Sequence, residues 1–133
     1  MPAAVPQGFA FNRTRRAYLA TQLSVAGTHW SRLRGLMGAA AESFHAGQGL
    51  WIVPCHGVHT LAMRFPIDVL YLNGDKVVIY AKQDLKPWRL APVRMGAASV
   101  LELPGNTLNA TGTAIGDCIE IELGAPARET VSS

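Results

Sequence analysis

From Gly49 onward the apolar residues of this chain fall into short runs broken by Gly, Pro, Asn and Asp. Leu50-Trp51-Ile52-Val53 is bounded by Gly and Pro, and Val58 to Ala62 is a second short run. Ile67 to Leu72 and Lys76 to Ala81 flank Asn73-Gly74-Asp75, and Ala97 to Leu103 stops at Pro104-Gly105. Runs of this length, rich in branched residues and closed by turn formers, predict β-strands. Asn-Gly between two such runs predicts an antiparallel hairpin, because both residues tolerate positive φ. From Asp117 to Leu123 the chain alternates, with Ile119, Ile121 and Leu123 on one face and Cys118, Glu120 and Glu122 on the other. Upstream, Ala17 to Val25 carries enough aromatic and branched residues to predict a first strand.

Helical spacing is confined to Trp30, Leu33 and Met37, with Thr28 or Ser31 as a cap and Gly38 as a stop. One short helix is therefore expected near residues 28–37. Residues 1–12 are uncharged and aperiodic and read as a flexible leader, residues 13–124 as a single β-rich domain, and residues 125–133 as a loose tail. Strands at this spacing with so little helix exclude the parallel βαβ architecture. The expected fold is mainly β, α+β at the margin: a small antiparallel sandwich or barrel-like fold.

Composition adds bounds rather than a function. A chain of 133 residues is one domain, and 49% hydrophobic with 16% charged residues describes a globular protein. No apolar run reaches the roughly 20 residues that span a bilayer. The first residues have no basic start followed by an apolar stretch, so no membrane association is expected and the expected location is cytoplasmic. The net charge of +3 is uneven, since Arg13, Arg15, Arg16, Arg32 and Arg34 precede any acid while the end from Asp117 to Glu129 is acidic. Without a helix-turn-helix or basic-aromatic alternation this is a solvated face, and nucleic acid is not an expected partner. Cys55 and Cys118 are expected as reduced thiols.

The chemistry gathers between Pro54 and Leu72, where Cys55, His56, His59, Thr60, Arg64 and Asp68 stand among strongly apolar neighbours. The pattern Pro54-Cys55-His56-x-x-His59-Thr60-x-x-Met63-Arg64-Phe65-Pro66-Ile67-Asp68-Val69 follows Arg34-Gly35-Leu36-Met37-Gly38 and precedes Val100-Leu101-Glu102-Leu103-Pro104-Gly105 and Gly116-Asp117. In this order the motifs resemble the bacterial and archaeal family known as domain of unknown function 192, over residues 20–123. The resemblance implies a compact β-rich fold and no established biochemical activity, so the site residues have to be read from their own chemistry.

If the segment is extended, Cys55 and His59 share one face while His56 and Thr60 share the other. Cys-His-x-x-His suggests zinc, yet a tetrahedral site needs further ligands, and only His29, His45, Cys118 or distant carboxylates are left to supply them, so no metal or other cofactor is expected. A catalytic reading would pair Cys55 with His59 and orient them by Asp68, as in a small hydrolase or a metal-dependent enzyme. It lacks a turn or helix start after Cys55 to supply an oxyanion hole. Asp68, in a run apolar on both faces, needs donors: either Arg64, His59 or Thr60, or the backbone of the Pro66 turn. A second patch, Lys86-Pro87-Trp88-Arg89-Leu90-Ala91-Pro92-Val93-Arg94, offers an aromatic face beside cations. Together these define the expected site, a groove of His59, Thr60, Met63, Arg64, Asp68, Trp88 and Arg89. It suits a non-catalytic binding or accessory module whose partner is a small anionic or sugar-like ligand or another protein.

Overall fold

The structure is a computed structural model, and it describes residues 8–26, 45–54, 66–86 and 94–124. Seven strands form one sheet: β1 (Gly8–Asn12), β2 (Ala17–Ala26), β3 (Gln48–Ile52), β4 (Ile67–Leu72), β5 (Val78–Leu85), β6 (Ser99–Pro104) and β7 (Ile119–Leu123). Their spatial order is β5-β4-β6-β3-β2-β1-β7. The sheet curls into a half-barrel, and its two outer strands meet at one end through the bridge Val77 to Cys118. Three backbone hydrogen bonds close that end: Val78 N–H to Asp117 O at 2.9 Å, Gly116 N–H to Val78 O at 2.8 Å and Ile119 N–H to Lys76 O at 2.9 Å. Among the described residues the single helix, α1 (Thr107–Thr111), follows β6.

The barrel-like, mostly β expectation is met, and the hairpin of β4 with β5 pairs antiparallel as Asn73-Gly74 implied. Its turn differs in detail: the positive φ falls on Lys76, at 62°, not on Asn73 or Gly74. The Asn73 side chain explains the placement, since its Oδ1 accepts N–H bonds from both Asp75 and Val77 at 2.9 Å and lengthens the turn. Two further expectations need correction. Residues 8–12 belong to β1, inserted between β2 and β7, and not to a leader; five residues are too few to display a period. The sheet is not wholly antiparallel, because β2 and β3 run parallel, which the long connection from Ala26 to Gln48 permits. The expected helix near 28–37 and the short strand at Val58 to Ala62 lie outside the described residues.

The curl gives the sheet two faces of different use. Inside it, Ala10, Leu19, Leu23, Leu70, Leu72, Leu101, Leu103 and Ile119 pack together with Leu108 of α1. On the opposite face Leu50, Ile52, Ile67, Val69, Tyr71, Leu85 and Val100 form a second cluster. Every residue of the central strands β4 and β6 is thus buried, which is why neither sequence alternates. Each such aliphatic side chain contributes about 1.5–3 kcal/mol of transfer free energy.

Gly49 shows how close the interior packing is, since a Cβ there would stand 2.9 Å from Ala20 Cβ and 3.1 Å from Leu103 Cδ2. Ala20 Cβ is fixed to a neighbouring strand and cannot swing away. Gly49→Ala is expected to lower stability by about 1–3 kcal/mol, the usual cost of overpacking. Equilibrium urea unfolding measures it, and an unchanged midpoint would show that β2 and β3 separate freely.

Candidate functional site: two buried carboxyl groups and a stacked aromatic patch

Asp68 is the second residue of β4, opposite Leu103 of β6, and is fully buried. Its Oδ1 accepts the Asp84 N–H and its Oδ2 the Leu108 N–H, both at 2.9 Å. The first donor exists because β5 is bulged: Ile67 pairs with Leu85 and Val69 with Lys82, so Gln83 and Asp84 together oppose Asp68. Asp84 takes φ 55° there. The second donor belongs to the first turn of α1, whose cap residue Asn106 makes no side-chain capping bond. Backbone anchoring was one of the two readings of Asp68, but the groups held are these and not the Pro66 turn. As the orienting carboxylate of a Cys55 and His59 pair, Asp68 would have to serve that pair in addition to two backbone donors.

Glu102 drew notice in the sequence only as a member of a motif, and the structure gives it a distinct place. It is fully buried in mid-strand on β6, between Leu50 of β3 and Val69 of β4, on the face opposite to Asp68. Both side-chain oxygens are inaccessible to solvent. The signal was available: an acid inside the apolar run Val100-Leu101-Glu102-Leu103. On the same face Tyr71 packs against Tyr80 with ring centroids 4.8 Å apart, and the Arg94 guanidinium lies 4.9 Å over the Tyr80 ring. Arg94 is exposed and Tyr80 half-buried. At the other end of the patch anticipated at residues 86–94, Lys86 pairs with Asp84 at 2.8 Å. His59, Thr60, Met63, Arg64, Trp88 and Arg89, together with Cys55 and His56, lie outside the described residues.

A third polar cluster escaped the sequence reading. Asn12, Thr113 and Asp117 are all buried. Asp117 Oδ2 accepts the Arg15 Nε–H at 2.9 Å, the Asn12 Nδ2–H at 3.0 Å and the Ala114 N–H at 3.0 Å. Asn12 also donates to Thr113 Oγ1 at 2.9 Å. Burial by itself raises the Asp117 carboxyl, but the Arg15 and Asn12 side chains and the Ala114 N–H outweigh it and hold the group below its ordinary 3.8. Among the described residues no cluster of three His, Cys, Asp or Glu side chains is placed to hold a metal ion. No described helix is long and apolar enough to cross a membrane.

The chain is a curled seven-stranded half-barrel with a buried acid on each face. The chain belongs to the DUF192 family, an uncharacterized ACR, whose model matches residues 10–121. It is 26% identical to a UPF0127 protein of Thermococcus sibiricus over 117 residues, 84% of this chain and 73% of that protein. A UPF0127 protein of Pyrococcus furiosus is 38% identical over 63 residues, 47% of this chain and 53% of the relative. In fold the chain is similar to a protein of unknown function from Novosphingobium aromaticivorans, with TM-score 0.72 and 19% identity over 88% of this chain and 84% of the other. A protein of Sinorhizobium meliloti described as "a putative transcription regulator" aligns with TM-score 0.75 and 17% identity over 89% and 95% of the two chains.

Two predictions follow from the acids. Asp68→Ala strands two N–H groups and is expected to cost about 1–3 kcal/mol for each one left buried. Hydrogen exchange at the Asp84 and Leu108 amides should accelerate before that of the β6 amides, and equal protection in both proteins would contradict the clamp. For Asp117 the folded state favours the ionised form, so its contribution is complete well above pH 3.8 and is lost as pH falls through that value toward the lower folded one. The stability gap between the native chain and Asp117→Asn, read from urea midpoints, should therefore be wide at neutral pH and shrink in acid. A gap independent of pH would remove the ionic part of this network.

Proposed function

We propose that this protein is a non-catalytic binding or accessory module, and that its ligand is anionic or polyhydroxylated, a carbohydrate, a phosphorylated metabolite or a peptide. The observation that carries the reading is the stack of Arg94 on Tyr80 on Tyr71, on the face of the sheet that also holds Glu102. An exposed guanidinium fixed over a ring offers a fork of donors to carboxylate, phosphate or vicinal hydroxyls, while the ring edge meets apolar surface. Arg94 closes the segment in which Trp88 and Arg89 supply the same chemistry, and His59, Thr60, Met63 and Arg64 immediately precede β4. In this reading Asp68 supports the site from below, by fixing the bulge from which β5 runs out toward Lys86, and the remaining residues of the expected groove touch the ligand.

The test is a thermal-shift screen of sugars, sugar phosphates and acidic peptides against the native chain, Trp88→Ala and Arg94→Gln. Ligands that stabilise the native chain should lose about tenfold or more in affinity on losing either group, the scale of one charge-assisted hydrogen bond or one aromatic stacking contact. Hits that survive both substitutions unchanged would place the ligand elsewhere and remove this reading.

A further inference from the structure

Away from that face, a cleft of about 190 Å³ opens between β2 and α1. We propose that it is a binding site for a small neutral polyol, a chain of about three to five hydroxylated carbons, independent of the site proposed above. Its walls come from three separate parts of the fold: Tyr18 and Thr21 on β2, Gly47 in the turn before β3, and Thr107, Ala110 and Thr111 on α1. Among the described residues no charged side chain lines it, which suits a neutral ligand.

The hydroxyls of the walls are set to accept. Thr107 Oγ1 donates to Pro104 O at 2.7 Å and Thr111 Oγ1 to Thr107 O at 2.8 Å, while Thr21 Oγ1 points its proton toward Gly47 O at 3.5 Å. Thr111 Oγ1 also lies 2.7 Å from Thr113 Oγ1, so among the three threonines it is chiefly Thr21 and Thr107 that keep lone pairs for a ligand. A ligand rich in O–H donors matches such a lining, and its C–H faces meet Leu19, Ala20 and the Ala110 methyl. The volume lies below the roughly 300–1,000 Å³ of sites for drug-sized ligands, which sets the size class.

The walls are also fixed in place. The Tyr18 ring is held edge-on by Phe9 at 5.5 Å and Phe11 at 4.9 Å. Gly47 O accepts both Thr21 N–H and Gln22 N–H, at 2.8 and 2.9 Å, and locks the turn against β2. Gly47 has φ 93°, and a Cβ there would stand 3.2 Å from Thr21 Oγ1, so glycine keeps that hydroxyl clear.

The experiment is a backbone amide NMR titration of the native chain with glycerol and with xylitol. Saturable shifts confined to Tyr18, Thr21, Gly47, Ala110 and Thr111 are expected, with millimolar affinity in order of magnitude for so small a ligand. Ala110→Leu, an exposed helical position where leucine is a good helix former, fills the cleft and should abolish saturation. Thr21→Val keeps the shape, removes one acceptor and should weaken binding about tenfold, the scale of one hydrogen bond. Trp88→Ala should leave the titration unchanged, which separates this site from the other. Shifts that grow linearly without saturating, or saturation that persists in Ala110→Leu, would overturn the proposal.

Discussion

The half-barrel depends on one carboxyl group placed where hydrophobicity alone would have put a leucine. Asp68 occupies an interior position of the most buried strand, beside Leu70, Leu103 and Leu108. What it supplies is acceptor capacity at two points where secondary structure fails to satisfy itself: the bulge of β5 at Asp84 and the first turn of α1 at Leu108. Both N–H groups would otherwise be withdrawn from water without a partner, a cost larger than one apolar contact returns. One side chain therefore sets the register of the hairpin, seats Leu108 in the interior and directs the exit of β5. The last of these sets where β5 leads into Lys86, the start of the cationic, aromatic stretch of sequence that ends at Arg94.

Closure of the curl follows a different principle. The edges of an open sheet carry unsatisfied backbone groups, and here β5 and β7 satisfy theirs on each other only near Val77, Val78 and Cys118. The loop that makes this contact is shaped by Asp117, whose carboxyl gathers Ala114 from its own loop and Asn12 and Arg15 from the far end of β1. Arg15 is 44% exposed, so its share is screened by water and salt, and the buried Asn12 amide contributes the more durable bond. Asp68 is bonded only to backbone N–H groups, while Asp117 is bonded in part to a half-exposed arginine.

Much of the sheet was legible because its strands announce themselves by run length and punctuation. Ile67 to Leu72 is a strand with the expected limits, and the strands over Ala17, Leu50, Ala97 and Asp117 differ from expectation mainly at their ends. What was not legible is everything carried by long-range pairing. Asp68 was expected to find partners among its neighbours, yet its donors lie 16 and 40 residues away. Asn12 gives no local hint that it will meet Asp117, 105 residues later. Residues 8–12 become a strand because β2 and β7 offer an edge on each side, and no property of Gly8-Phe9-Ala10-Phe11 by itself reports that. Helix α1 is likewise a product of context: five residues with three of low helix propensity hold a turn because Asp68 receives its N–H and Leu108 is buried.

Of the three buried acids, Asp68 and Glu102 differ most in what the fold asks of them. Asp68 answers a backbone need, and removing it would have structural consequences first. Glu102 sits at a point where β6 is paired with β3 on one side and β4 on the other, with no bulge, cap or turn beside it. A central strand of this kind is complete with leucine, as Leu101 and Leu103 on either side demonstrate. A carboxyl at such a position is costly to withdraw from water. Its cross-strand neighbours on that face are Leu50 and Val69, and the same face carries Tyr71, Tyr80 and Arg94. Asp68 thus answers a backbone need at a bulge and a helix start, while Glu102 stands in a regular ladder between two paired strands.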